Sequence, residues 1–398
     1  MTLPPLPSAF LATLGELPGL DGLDAALDTP AAVSVRLNRA KTHAVLPSPV
    51  PWAPDSGYYL ADRPAFTFDP ALHQGAYYVQ DASSMATAAA IATAVAALPG
   101  AGGPLRFLDA CAAPGGKTIG AMDALPPDTF IVANEYSRQR APILAENLAK
   151  WGTRAPIVTR DDASTISGLD GFFDIIAADV PCSGEGMMRK EAEARRQWSP
   201  ALVADCAALQ QRIVHNLWDA LRTGGYLVYS TCTFNRHENE EVILSLIDTC
   251  GAEPVAIPAL DACPQILGAQ GADFPAYRFL PGRVRGEGLF LCLLRKPGDS
   301  PAASLKAVRP PKPHPAAAWL ADGYTVSRHG DTLCALPTAH VAAAQAIDRR
   351  MQVMTPGIEI ATVKGRDLIP AQPLATSTAL RHDAFPRVDV DASTALAY

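Results

Sequence analysis

No stretch of this 398-residue chain holds 18 consecutive apolar residues, which excludes an obvious membrane-crossing helix. The first residues, M-T-L-P-P-L-P-S-A-F, also lack a basic start followed by a long apolar run, so a cytoplasmic location is expected. The eight cysteines form no C-x-x-C pair and no histidines stand at ligand spacing. Neither a zinc site nor a disulfide framework is therefore favoured, no metal is expected, and the thiols should be reduced. Positive charge is short as well: 33 Lys and Arg stand against 40 Asp and Glu, a net charge of −7. A protein that coats nucleic acid through a general positive field is disfavoured, so contacts to RNA would have to come from local patches. Such patches are Arg189, Lys190, Arg195 and Arg196, then Arg278, Arg283 and Arg285, then Lys306, Arg309 and Lys312. Taken singly, each reads as a solvated face.

Apolar residues make up 48% of the chain, enough for several globular units. Residues 1–75 are rich in Pro and Ala with one strand-like run, 32–37, and read as a small α+β N-terminal domain. An Ala-rich helix over 86–98 ends in P-G-A-G-G-P. Strands then alternate with helices: strands at 105–110, 130–135, 156–161, 173–180 and 225–231, and helices at 116–125, 138–151 and 200–221. That alternation predicts an α/β fold with a parallel, doubly wound sheet over residues 76–297, completed by a helix at 238–249 and a strand at 288–294. Five prolines in 298–315 mark a linker, and residues 316–398 read as a small β-rich module with strands at 332–336 and 358–363.

Directly after the first strand of that sheet comes D-A-C-A-A-P-G-G-K-T, residues 109–118. Gly115 and Gly116 allow a tight turn and close approach to a ligand, and the helix that follows offers its free N–H groups. The pattern is neither a P-loop nor a dinucleotide fingerprint. Glu135 ends the second strand, where an acid can accept both ribose hydroxyls; Asp161 and Asp162 end the third, placed either to reach an adenine edge or to cap a helix. Two cysteines follow the next two strands: Cys182 in A-D-V-P-C-S-G-E-G and Cys232 in V-Y-S-T-C-T-F. Open α/β sheets bind ligands at the carboxyl ends of their strands, so both thiols are expected to face one pocket, although an inert buried cysteine is the commoner fate.

These segments resemble the S-adenosylmethionine, Pro-Cys and Thr-Cys motifs of RNA 5-methylcytosine methyltransferases, the RsmB/Nop2/NSUN family. The resemblance extends to R-L-N-R-A-K (36–41), G-A-Y-Y-V-Q-D-A-S-S-M (75–85) and Y-R-F-L-P-G-R-V-R-G-E-G-L-F (277–290). It is nearest to the RsmF-type branch, which methylates small-subunit ribosomal RNA and carries a PUA-like RNA-binding tail. It departs at Gly282, where relatives often show His. The resemblance implies a class I, Rossmann-like methyltransferase domain between an N-terminal RNA-binding domain and a PUA-like C-terminal module. It assigns methionine and ribose contacts to Cys111, Ala112, Ala113, Pro114, Gly115, Gly116 and Lys117, ribose to Glu135, adenine to Asp162 and a site-floor carboxylate to Asp179. It implies 16S rRNA in the small subunit as partner, Cys232 as nucleophile and Cys182 as the releasing thiol.

That chemistry has a reason for two thiols. Cytosine C5 attacks a methyl group only after a nucleophile has added at C6, and a thiolate can add and later leave. Asp179 is placed to bind N3 and the exocyclic amine. Lys190 or Lys117 could lower a thiolate pKa or hold a phosphate, and the sequence does not choose between them. An amino-group methyltransferase is disfavoured because no aromatic follows Pro181, and a DNA-type enzyme would make Cys182 the attacker. A tRNA 5-methylcytosine enzyme and a non-catalytic ribosome-assembly factor remain alternatives.

Overall fold

The computed structural model describes residues 3–15, 19–98, 103–300, 303–306, 308 and 312–397. The joints expected at 99–104 and 298–315, and Arg309 with them, therefore lie partly or wholly outside the described residues. Near the start, β1 (Val33–Leu37) pairs antiparallel with both β2 (Gly57–Leu60) and β3 (Tyr77–Val79). The five expected parallel strands form β4 (Arg106–Asp109), β5 (Phe130–Asn134), β6 (Ile157–Thr159), β7 (Phe173–Asp179) and β8 (Leu221–Thr231). Their spatial order is β8-β7-β4-β5-β6, all parallel. Adjacent residues of β4, Phe107 and Leu108, are both fully buried and belong to opposite faces. Helices cover both sides, which is why these strands read as continuous apolar runs.

The sheet as a whole is mixed, which corrects the expectation of a parallel one. β9 (Glu253–Val255) and β10 (Tyr277–Phe279) both pair antiparallel with β11 (Leu289–Arg295), which itself runs antiparallel to β8. Only nine residues join β10 to β11, too few for the crossover of about a dozen that parallel neighbours need. The later residues supply β12 (Tyr324–His329), β13 (Thr332–Pro337), β14 (Val353–Pro356), β15 (Ile358–Lys364) and β16 (Asp367–Pro370). Four of these make an antiparallel sheet in the order β12-β13-β15-β16, while β14 crosses over to pair with β6 at the edge of the central sheet. Ile347, Leu333 and Ile360 accordingly join the same buried cluster as Leu108 and Ile176. Among the described residues no helix is long and apolar enough to cross a membrane.

The order of the parallel strands reverses at β4, so β4 and β7 form the switch point where the carboxyl ends leave a crevice. Residues 109–118 and 179–186 leave from those two ends.

Candidate active site

Gly115 has φ +115°, a left-handed backbone that L side chains rarely adopt, and it starts helix Gly116–Ala124 without any side-chain cap. The turn is held from outside: Arg140 donates to Ala113 O, Asn147 Nδ2 to Pro114 O at 2.8 Å, and Gln80 Nε2 to Gly116 O at 2.9 Å. The cleft beside it, of about 150 Å³, is lined by Tyr78, Gln80, Asp81, Cys111 to Pro114, Gly116, Lys117 and Asp179. Glu135 is 5% exposed at the end of β5, accepting from the N–H groups of Ala113 (3.3 Å) and Ser137 (2.8 Å). Asp162 accepts from Ser164 N and Oγ, closing a local turn, while Asp161 accepts from Gln352 N at 2.9 Å and so ties this end of the sheet to β14.

Asp109, 1% exposed, accepts from Thr118 Oγ1 at 2.6 Å, and its other oxygen is buried without a partner among the described residues. Burial, opposed by the Thr118 hydrogen bond, pushes this carboxyl up to about 7. The folded chain therefore binds a proton that the unfolded chain has lost between roughly pH 4 and 7, so this group makes stability fall as pH rises through that window. Asp109→Asn keeps an acceptor for Thr118, and should flatten that part of the profile by up to about 4 kcal/mol. Denaturation midpoints at pH 5 and 8 test it; equal pH dependence in both proteins would refute the assignment.

The two cysteines do meet. Asp179 and Ser230 are register partners on β7 and β8, and the turns beyond them bring Cys182 Sγ to 3.2 Å from Cys232 Sγ. Asp179 accepts from Ser230 Oγ at 2.8 Å and from Lys117 Nζ at 2.7 Å. Burial alone would push the Lys117 ammonium down, but Asp179, with Cys232 and Asp109 beyond, holds it above the usual lysine value. The contact with Cys232, aided by burial, holds the Cys182 thiol well above its ordinary value. Lys190 points elsewhere, pairing with Glu287 at 3.0 Å, so of the two candidate lysines Lys117 is the one in contact with the floor of this site.

What holds two loops so close is a pair of buried glutamates to which local sequence pattern gives no role. Glu238 accepts from Ser183 N and Oγ (2.8 and 2.5 Å), Gln210 Nε2 (2.8 Å) and Asn235 Nδ2 (2.8 Å). Glu185 accepts from the N–H groups of Phe234 and Asn235 and from Trp198 Nε1. Each carboxylate thus spans from the Pro-Cys turn to the segment after Cys232. Gly186 donates to Cys232 O at 2.8 Å, and a Cβ there would stand 2.7 Å from that oxygen.

Several basic residues expected to contact RNA are spent on the fold instead. Arg278 is fully buried and pairs with Glu240 at 2.5 Å. Arg195 is 4% exposed and donates to Met188 O, Pro4 O and Leu27 O, while Arg189 holds Thr29 O and Pro30 O, so both staple the N-terminal segment. Arg36 of R-L-N-R-A-K is buried too, donating to Gln80 Oε1 at 2.8 Å and Asp123 at 3.0 Å. Through Gln80 it supports the Gly116 turn, a link between residues 80 positions apart that leaves no signal in local pattern.

Two family models match in succession: the N-terminal domain of 16S rRNA methyltransferase RsmF over residues 6–82, and 16S rRNA methyltransferase RsmB/F over residues 103–295. Over these two spans the chain matches the RsmB/F methyltransferase family. A ribosomal RNA small subunit methyltransferase F from Salmonella arizonae is 35% identical over 316 residues, 74% of this chain and 64% of that protein. The chain thus spans a little under two thirds of the length of that relative. A methyltransferase homolog protein from Pyrococcus horikoshii, solved by crystallography, is 27% identical with a TM-score of 0.57, covering 72% of this chain and 94% of that one. NSun6 from the same organism, at 19% identity and a TM-score of 0.60, shares the fold over 74% of this chain and 99% of its own. The RsmB/F match runs from the start of the central sheet to the end of β11 and contains both cysteines.

Proposed function

We propose that this chain transfers a methyl group from S-adenosylmethionine to C5 of a cytosine in RNA, with small-subunit ribosomal RNA as the substrate. The observation that carries this reading is the 3.2 Å approach of Cys182 and Cys232 beside Asp179 and Lys117, at the carboxyl ends of neighbouring parallel strands. The cleft fits the cofactor: an uncapped helix start, a turn at Gly115 and Gly116 that brings backbone close, and the buried Glu135 carboxylate at the second strand end. Residues 111–117 would hold its methionine and ribose portions, Glu135 its ribose hydroxyls and Asp162 its adenine. When bound, the cofactor supplies an electrophilic methyl group.

The protein's own groups divide the remaining work. Cys232, with the Lys117 ammonium in electrostatic reach, is the thiol proposed to add to C6 as a thiolate, its proton passing to solvent, while Cys182 beside it is held above the ordinary thiol value by their contact and by burial. Asp179 accepts from the exocyclic amine, and the Lys117–Asp179 pair can pass a proton to N3 as the ring takes up charge. In the adduct the Cys232 sulfur is a neutral thioether, so the contact that most opposed ionisation of Cys182 is gone. Once its own proton has passed to solvent, Cys182 as a thiolate takes the C5 proton, the C5–H electron pair forms the C5–C6 double bond, the C6–S pair leaves on Cys232, and N3 returns its proton to the Lys117–Asp179 pair. A base must leave its stack to enter such a site, which favours unpaired or loop cytosines. The C-terminal region, proposed as a PUA-like RNA-binding module, and the N-terminal unit flank the crevice as further substrate-binding surfaces.

The test is methyl transfer from labelled S-adenosylmethionine to small-subunit rRNA followed by nucleoside digestion. Label in 5-methylcytosine is expected, and label confined to another nucleoside would overturn the reading. Glu135→Ala should weaken S-adenosylhomocysteine binding about tenfold or more in calorimetry, as loss of hydrogen bonds to a charged group does. Unchanged affinity would remove Glu135 from the site.

A further inference from the structure

Among the described residues most arginines are committed to carbonyls or carboxylates, but Arg283 and Arg285 are not. Both are exposed on the loop between β10 and β11, and neither side chain makes a hydrogen bond or ion pair among the described residues. Arg285 sits over the Tyr59 ring, its guanidinium carbon 4.3 Å from the ring centroid. Contact with the ring restrains the guanidinium while leaving its N–H groups free, the arrangement suited to gripping a phosphate. Both arginines line a cavity of about 470 Å³ whose remaining wall is mostly apolar, with Pro49, Pro51, Trp52 and Tyr59, and carries Ser48 and Gln265 as its other polar residues.

This cavity and the methyl-donor cleft share a partition. Trp52 Nε1 donates to Ala82 O at 2.6 Å, and the neighbouring Asp81 lines the donor cleft. On the other side of Arg285, Glu287 N donates to Asp81 Oδ1 at 2.9 Å and Ser83 Oγ to Glu287 O at 2.8 Å. The cavity is therefore one thin wall away from the crevice, at the seam between the N-terminal sheet and the central one. Size, two uncommitted guanidiniums and a mostly apolar wall describe a site for one phosphodiester with its sugar. In a chain of net charge −7, such a place stands out from its surroundings.

We propose that this cavity seats the phosphate and ribose of an RNA nucleotide flanking the target cytosine, Arg283 and Arg285 holding the phosphate. The inference rests on the reading of the chain as an RNA methyltransferase and adds a register device to it: anchoring a neighbour fixes which base can swing into the crevice.

The experiment titrates the full-length protein into a fluorescently labelled single-stranded fragment of small-subunit rRNA over a range of salt concentrations. The Arg283→Ala/Arg285→Ala protein should bind roughly tenfold more weakly, and its log-affinity against log-salt slope should fall by about 0.7 for each phosphate no longer neutralised. S-adenosylhomocysteine affinity and kcat at saturating RNA should stay within about threefold of wild type, so the loss appears in KM. Arg212→Ala, on exposed surface of helix Pro200–Ala220, controls for net charge and should leave the slope unchanged. Wild-type affinity and slope in the double variant overturn this site while leaving the methyltransferase reading intact, provided the wild type methylates. A wild-type chain that neither binds nor methylates RNA overturns both.

Discussion

Cys232→Ala should abolish methyl transfer, by a factor on the order of 10⁴ or more, while Cys182→Ala should trap the protein on its RNA. The asymmetry follows from the roles proposed for the two thiols, Cys232 within electrostatic reach of Lys117 as the attacker and Cys182, 3.2 Å from it, as the base that collects the C5 proton. Removing Cys182 spares addition and methyl transfer but takes away the group positioned to collect the C5 proton, so the C6–S bond persists. A covalent species should appear as a retarded band on denaturing electrophoresis, approaching one RNA per protein, with Cys182→Ala and not with Cys232→Ala. The reverse pattern would make Cys182 the nucleophile, as in a DNA-type enzyme. Absence of adduct together with full turnover in both variants would remove the covalent mechanism. Both cysteines are only partly buried, so neither substitution opens a large core cavity, and loss of activity reports chemistry rather than unfolding.

A large loss of stability is expected at a residue that need not touch substrate. Glu238 is fully buried and takes four hydrogen bonds from Ser183, Gln210 and Asn235. Glu238→Ala strands all four donors away from water, at a cost of about 3 kcal/mol or more. Glu238→Gln keeps the volume but sets an amide donor against donors already present, and should fall between the two. Urea unfolding measures both; a change within about 0.5 kcal/mol for the Ala variant would show that the network is dispensable. Because Gln210 Nε2 also holds Pro181 O, loosening this carboxylate should separate the cysteine turns and lower activity further than stability alone explains.

Much of the central sheet is legible in the amino-acid sequence. Strands fully buried on both faces leave runs such as F-D-I-I-A-A-D, and the turn residues that follow them stand out against those runs. The antiparallel edge is not legible, because strand direction depends on connection length and on which edge is free rather than on the residues of the strand itself. Nor is the role of β14, which pairs with β6 across nearly 200 positions. Basic residues mislead for a related reason. Arg278 and Arg195 have the composition of a surface patch, and only packing reveals a buried pair with Glu240 and a set of main-chain carbonyls.

By itself the sequence determined the local chemistry: which residues end each strand, which turns need glycine, and which two thiols follow β7 and β8. Those are properties of a few consecutive residues, where backbone sterics and hydrophobic period act directly. Tertiary structure decided everything that depends on distance between segments. It placed Lys117 rather than Lys190 against Asp179, brought Cys182 and Cys232 to 3.2 Å, and enlisted Glu185 and Glu238 to hold them there. It also left Arg283 and Arg285 free while consuming Arg189, Arg195 and Arg278. Contacts of this kind arise when the sheet closes and buried polar groups must find partners, a requirement that no single stretch of sequence can satisfy on its own.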